Sequence, residues 1–340
     1  MLAAGRGERM RPLSDALPKP LLPVAGRTLA ERSLLGLTNA GCEAVAVNLH
    51  HLGDRVRKYL GEEIEGVPIT YSYESELQGT LGALAAFEEF LAPADLAVVI
   101  NGDSLCRWPL QALIDHHLGN PGAQATMLLS TRAPAAQFGG GVALAQGGRI
   151  VAFRGADEEG EGVERRVFAG AHAFAPTLVS GRPKGAADFV TDLYQPIIDQ
   201  GHLIQGLETD LPWHDMGTPS RYLDGVLAWK SAGWTADAAR VEEGAKLSNA
   251  VVEADAFIEA GSSIESSVVM TGCVVPADAR VRSSILGPGV ELPAASFVDG
   301  QLVTKQPKSS DLLAGVPPVA LRDSESIAAG LIFTPLQGAG

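Results

Sequence analysis

The sequence predicts an α/β protein: a Rossmann-like, mostly parallel, doubly wound sheet followed by a short left-handed parallel β-helix. Two patterns carry that expectation. Up to about residue 232, short apolar runs alternate with stretches of helical periodicity, joined by short links. From about Val241, apolar residues recur every six positions instead. The expected division is a main domain over 1–236, the repeat over 237–304, and a loosely held tail over 305–340.

Composition sets the outer limits. With 340 residues, 46% hydrophobic and 19% charged, the chain can bury a sizeable core. A formal charge of −14 argues against general nucleic-acid binding, because a phosphate backbone would be repelled. The three cysteines (Cys42, Cys106, Cys273) are widely spaced and form no CxxC or Cys/His cluster, so a reducing cytoplasm is expected. No signal-peptide pattern and no apolar run of transmembrane length is present, and no membrane partner is expected. His50-His51 ends an apolar run without partners at ligand spacing, which favours a structural role.

The elements follow in order. Met1-Leu2-Ala3-Ala4 reads as the end of a buried strand entering a turn of Ala4, Gly5 and Gly7. About four residues is short for a central strand, so this one is expected to be short or frayed, with the turn anchored through Met10, Leu13, Leu21 and Leu22. Small residues there leave backbone N–H groups open to a ligand. Arg6, Arg9, Arg11 and Lys19 follow against an acidic background. Backbone donors with guanidinium and ammonium groups describe a polyphosphate site. A helix is expected over 28–40, a parallel strand over 44–49, a helix over 54–60 and a strand over 67–73. An alanine-rich helix over 80–91 is entered through Gln78-Gly79-Thr80. The run 96–100 is a strand ending in Asn101-Gly102-Asp103. Ligands of doubly wound sheets bind beyond the carboxyl ends of strands, which is where the Gly5 turn and Asp103 fall.

Beyond Asp103 the expected elements are a helix over 110–117, a strand over 125–130, and a hairpin of 141–144 with 150–153. An exposed acidic loop spans 156–166. The strand 167–174 carries Gly170 in its middle, a position of close approach. A helix over 192–201, a strand end and turn over 213–219, and a helix over 220–232 complete the domain. In the repeat, Val252, Ile258, Ile264 and Met270 are six apart. After a one-residue slip come Val275 and Val281, and after another Leu286, Leu292 and Val298. Such a period is the mark of a hexapeptide β-helix of about three coils. Its open end needs cover from the first domain or another subunit, so homo-oligomerisation through the β-helix or a sheet edge is expected.

Four ordered motifs resemble the sugar-1-phosphate nucleotidylyltransferase family. They are Leu2-Ala3-Ala4-Gly5-x-Gly-x-Arg9-x-Arg-Pro-Leu with Pro18-Lys19-Pro20, then Glu74 to Gly82, then Asn101-Gly102-Asp103, then Trp213-His214-Asp215-Met216-Gly217-Thr218-Pro219. The resemblance implies transfer of a nucleotidyl group from an NTP to a sugar-1-phosphate, with 1–236 as the catalytic domain. It implies Mg²⁺ on Asp103 and Asp215, Arg9 on the leaving phosphates, and Lys19 on the α-phosphate or the sugar phosphate. Leu2, Ala3, Ala4, Gly5, Gly7, Arg9, Glu74, Gly79 and Thr80 would bind nucleotide. Gly141, Gly170, Asp188 and Asp215 would bind the sugar side, with helix capping an equal reading for Asp188. A carboxylate at Glu74 could accept from guanine N1–H and N2–H, which favours GTP and mannose-1-phosphate slightly over UTP or dTTP with a glucose- or muramate-type sugar. Two departures stand out. Ala169 precedes Gly170 where many members have a polar residue. Arg154-Gly155-Ala156 replaces a Glu-Lys-Pro, so Arg154 either takes the lysine's role or that role is missing.

Taken singly, Asp103 could cap a helix, Asp215 could sit in a turn, and Arg9 and Lys19 could be surface cations. Their order along one chain argues for a site. A catalytically silent regulatory subunit binding NDP-sugars is the alternative, and the presence of all four residues weighs against it. An acyltransferase in the repeat is disfavoured because no histidine lies between 241 and 304. Chemistry is expected in 1–236, with the repeat serving stability or assembly.

Overall fold

The computed structural model describes residues 1–153, 163–182, 185–306, 322 and 324–336. It divides into two compact units. One comprises Met1–Arg6 with Leu29–His214, and the other Gly7–Thr28 with Asp215–Gly340.

In the first unit, the strand Val45–Leu49 pairs in parallel with Val67–Tyr73. Leu2 forms parallel bridges to both Asn48 and Asn101. The expected first strand is thus a single bridging residue. It ends there because the next amide, Ala3 N–H, leaves the ladder and donates to the Asn48 side chain at 2.7 Å. A six-stranded sheet carries the order Ala97–Ile100, Glu164–Phe174, Ala123–Ser130, Leu203–Thr209, Arg149–Phe153, Val142–Ala145. Ala123–Ser130 and Leu203–Thr209 run parallel, whereas Glu164–Phe174 is antiparallel to each of its neighbours. The doubly wound α/β layout is therefore present, with parallel pairing around the Leu2 bridge and antiparallel pairing through the long strand. Leu81, Val99, Met127, Leu129, Phe174 and Tyr194 are among its buried core.

Some elements differ locally from expectation. The helix expected over 80–91 breaks into Gly79–Gly82, a 3-10 stretch Ala83–Phe87, and Glu88–Leu91. At its start, Leu81 N–H and Gly82 N–H, first-turn donors with no intrahelical partner, both donate to Ala187 O, at 2.9 and 3.2 Å. The helix expected over 192–201 begins as a π-turn, Val190–Tyr194, and continues as Gln195–Asp199. Of the acidic loop, 154–162 lies outside the described residues, including Arg154 and its expected replacement role. Glu164–Arg166 already belongs to the strand, where Arg166 pairs with Glu164 and Glu208.

In the second unit, stacked coils form a parallel β-helix. Trp234, Val251, Val268, Ile285 and Leu302 are laddered partners, each 17 residues beyond the last. A 17-residue coil explains the one-residue slips in the six-residue period. Val252, Val269, Leu286 and Val303 share one interior position and Ile264, Val281 and Val298 another. The interior residue is therefore Val269 rather than the expected Met270. The tail is not uniformly loose. Leu331–Pro335 pairs antiparallel with Gln301–Lys305, and Ser326–Ala328 adds a further strand. This hairpin covers an edge that would otherwise present unpaired amides and carbonyls. It supplies, at that end, the cover expected from another domain or subunit.

The segment Gly7–Thr28 packs on the same unit. Met10, Leu13, Leu22 and Val24 are fully buried. Tyr222 Oη donates to Pro23 O at 2.6 Å, and Gly26 N–H donates to Glu253 Oε2 at 2.9 Å. A Cβ at Gly26 would lie 3.0 Å from the Trp234 ring, so glycine lets the turn close onto the first coil.

Candidate functional site

In the first unit, the residues expected to meet a nucleotide gather at the Leu2 bridge. Leu2 N–H donates to Ile100 O and Leu2 O accepts from Gly102 N–H, both at 2.8 Å. The turn bearing Asp103 thus hangs directly from the strand feeding the glycine turn. A Cβ at Gly102 would lie 3.0 Å from Leu2 O, so a side chain there would push the two apart. Ala3 and Ala4 are buried and Gly5 is exposed, which presents the turn's backbone to solvent.

Gly170 approaches the same turn. Its O accepts from Asn101 N–H at 2.7 Å. Its φ of +89° breaks the register of Glu164–Phe174 between Phe168 and His172. A Cβ there would lie 3.2 Å from that of Asn101. The close approach expected of Gly170 is thus backbone against the Asp103 turn. Gly141, at φ +68°, faces the backbone of Arg166 in the same way.

Glu74 is only 9% exposed. Its Oε1 accepts from Asn48 Nδ2 at 2.6 Å and its Oε2 from Gln78 N–H at 2.9 Å. The carboxylate expected to read a base edge is engaged on both oxygens within the protein. Gly79, at φ +72°, sits where a Cβ would come within 2.5 Å of Ala187 O. Thr80 Oγ1 donates to Asp188 Oδ2 at 2.9 Å and accepts from Phe189 N–H at 3.0 Å. Asp188 Oδ1 accepts from Val190 N–H and Thr191 N–H at 2.8 and 3.2 Å, a helix cap. Of the two readings of Asp188, the structure displays the cap.

In the second unit, Gly7 (φ +65°) opens a 3-10 turn, Glu8–Met10, and Ser14 Oγ donates to Gly7 O at 2.7 Å. Lys19 is buried between two prolines, and its Cβ would stand 3.8 Å from one placed on Gly7. Arg9 is exposed. Its guanidinium and the Asp215 carboxylate both lie against Gly217. The point where a Gly217 Cβ would stand lies 2.9 Å from Arg9 Nη2, 2.9 Å from Asp215 Oδ1 and 3.0 Å from Oδ2. Asp215 is also paired with Arg221, from the first turn of the helix Pro219–Trp229. Sequence reasoning missed Asn48 and Arg221, and gave no role to Gln78 and Gly217, which stand inside its motifs. A lone asparagine in the apolar run 44–49 was the one available signal for the first.

Among the described residues no group of three or more His, Cys, Asp or Glu is placed to hold a metal ion. Carboxylates without imidazole or thiolate suit a hard cation that completes its coordination with phosphate oxygens and water. His172 stands apart from this chemistry. Burial pushes its imidazole down to about 3, and it bonds Tyr194 among Phe174 and Phe189. It is a neutral core residue.

The sequence model of the family described as nucleotidyl transferase matches residues 1–231, and that of the GlmU-like C-terminal hexapeptide matches 236–303. The chain belongs to the nucleotidyl transferase family. Curated relatives include a UTP–glucose-1-phosphate uridylyltransferase of Synechocystis, 28% identical over 66% of this chain and 61% of its own length. A mannose-1-phosphate guanyltransferase of Pichia angusta is 28% identical over 68% of this chain and 64% of its own. The match thus spans less than two thirds of either relative. The crystal structure of HddC from Yersinia pseudotuberculosis superposes with a TM-score of 0.56 at 19% identity, over 67% of this chain and 97% of that one. That likeness shows a shared fold. The four ordered motifs all lie within the matched span 1–231.

Proposed function

We propose that this chain transfers a nucleotidyl group from an NTP to a sugar-1-phosphate. A phosphate oxygen of the sugar attacks the α-phosphorus; the α–β bridging bond breaks, and pyrophosphate leaves with the electron pair. The observation that carries this reading is the approach of both Arg9 and Asp215 to Gly217 in a chain of the nucleotidyl transferase family. The nucleophile is an already ionised phosphate monoester, so the task is positioning and charge neutralisation rather than general-base catalysis.

Each residue has a part that follows from its chemistry. Backbone N–H groups of the Gly5–Gly7 turn cradle phosphate. Arg9 forks onto the leaving pyrophosphate, and Lys19 provides a compact charge for the α-phosphate or the sugar phosphate. Asp103 and Asp215 would hold a divalent cation, Mg²⁺ in this reading, which would neutralise the charge of the reacting phosphates. Ser104, Leu105 and Cys106, buried behind Asp103, form a strand that keeps its turn rigid.

GTP with mannose-1-phosphate and UTP with glucose-1-phosphate are the first pairs to test, since both appear in the names of relatives. We further infer a reducing cytoplasm, given three free cysteines, and self-association through the β-helix, where Phe297 is 68% exposed. Among the described residues no helix is long and apolar enough to cross a membrane. A pyrophosphate-release assay across four NTPs and several sugar-1-phosphates tests the proposal. Turnover of one pair supports it; NDP-sugar binding without turnover of any pair would return the silent regulatory reading.

A further inference from the structure

We propose that Glu74 is a positioning residue. It acts as the acceptor hub of a hydrogen-bond relay that fixes the nucleotide turn and the 74–80 segment to each other, and it does not select the base. The proposal rests on the nucleotidyl-transfer reading above for its kinetic consequences, and on the free protein for its structural ones.

The relay has one possible direction. A backbone N–H can only donate, so Ala3 N–H fixes the Asn48 amide with Oδ1 towards it, at 2.7 Å. Asn48 Nδ2 then necessarily faces Glu74, and donates to Oε1 at 2.6 Å. At the far end Gln78 N–H, again only a donor, reaches Oε2 at 2.9 Å. With donors at both ends, the central residue must accept on each of its two terminal atoms, which a carboxylate does and an amide, with one donor terminus, does not. Asn48 is 3% exposed, so water cannot replace a lost partner cheaply. The backbone of Glu74 is fixed too: its N–H donates to Leu49 O at 2.8 Å, and His50 Nδ1 lies 2.8 Å from its O.

The two ends of the relay are the places where a nucleotide would be held. Ala3 begins the turn that presents Gly5. Gln78 precedes Gly79, whose left-handed backbone is already wedged against Ala187 O. Loosening the hub therefore frees both sides of the nucleotide site at once.

The relay predicts a charge swap that only a relay would allow. Glu74→Gln aims an amide donor at either Asn48 Nδ2 or Gln78 N–H. Asn48→Asp sets two carboxylates against each other. Each single variant should raise KM for the NTP on the order of 10-fold, from one unmet buried donor or acceptor. KM for the sugar-1-phosphate should stay within about twofold. The double variant Asn48→Asp/Glu74→Gln restores every bond. Ala3 N–H and the new amide nitrogen at position 74 both donate to the new carboxylate at position 48, and Gln78 N–H donates to the new amide oxygen at position 74. The double variant should return KM to within about threefold of wild type, with the ranking of NTPs by kcat/KM unchanged.

Amide hydrogen exchange at Ala3 and Gln78 in the free protein is read in parallel. It should quicken in each single variant and recover in the double. A double variant no better than the singles overturns the proposal, as does a changed ranking of NTPs in Glu74→Gln, which would restore base reading. If the wild type turns over no NTP, the proposed function fails and the exchange measurement alone still decides the relay. If the single variants do not fold, recovery of the fold by the double supports the relay, and its failure to fold overturns it.

Discussion

Gly102 N–H donates to Leu2 O at 2.8 Å. One hydrogen bond thereby joins the turn that carries Asp103 to the strand that feeds the glycine turn. The geometry is enforced by packing, since a Cβ at Gly102 would lie 3.0 Å from Leu2 O.

Asp103→Asn keeps the size and backbone of that turn and removes the charge. We expect pyrophosphate release to fall by about 100-fold or more, by comparison with the loss of other groups that stabilise a charged transition state. The thermal midpoint should remain close to wild type, because Asp103 is only partly buried. Unaltered turnover would remove Asp103 from the metal site.

Gly217→Ala tests the approach of Arg9 and Asp215 to the Gly217 backbone. The new methyl would fall 2.9 Å from Arg9 Nη2 and Asp215 Oδ1. Both are ends of movable side chains, and Gly217 is not among the left-handed residues, so the fold should absorb the change. Activity should not: kcat/KM is expected to drop roughly 10- to 100-fold, since small displacements of positioned groups are costly in rate. Steady-state kinetics beside a melting curve separate the two effects.

The second unit gives a stability expectation. Glu253→Ala removes the buried acceptor of Gly26 N–H, and a loss of about 1–3 kcal/mol is expected by denaturant unfolding. The same change should lower turnover, because Gly26 belongs to the segment that carries Arg9 and Lys19. For the same reason, removing everything after 236 should abolish turnover and not only assembly. A soluble, fully active 1–236 fragment would refute this dependence.

A pH effect follows from His172. Its folded pKa, about 3, lies below the ordinary histidine value near 6.5 because burial disfavours the cation. A depressed histidine favours the fold above its unfolded pKa, where both states are neutral. That contribution is lost as pH falls from about 6.5 towards 3, at roughly 1 kcal/mol per pH unit. Burial lowers His117 in the same direction. Wild type should therefore lose stability steadily in mild acid, and His172→Gln should flatten part of that slope in denaturant titrations across pH.

Much of the fold was legible because its patterns are local. The strand Val45–Leu49, the helix Leu29–Asn39 and the six-residue period all declare themselves within a few residues. Even the one-residue slips carried information, since they encode a 17-residue coil. What escaped was non-local. Gly26 and Glu253 are 227 residues apart, and no periodicity reports that one holds the other. Glu74 was visible as a charged residue in a motif. Its partner Asn48 lies within an apolar run, where no local pattern reports the bond between them. Asp188 shows the reverse case, where capping and binding were both open and its contacts with Val190 and Thr191 display the cap.

The tether between Gly26 and Glu253 also limits how the solenoid could lengthen or shorten over evolutionary time. Excising 268–284 would join equivalent positions, stacking Ile285 on Val251 and leaving Glu253 in place. Excising 251–267 would preserve the ladder equally well, yet it would put Met270 where Glu253 had been. The ladder accepts whole-coil insertions and deletions at either place; the carboxylate accepts them only above it. Descendants with taller or shorter stacks should therefore vary beyond the second coil and keep that coil as the fixed footing.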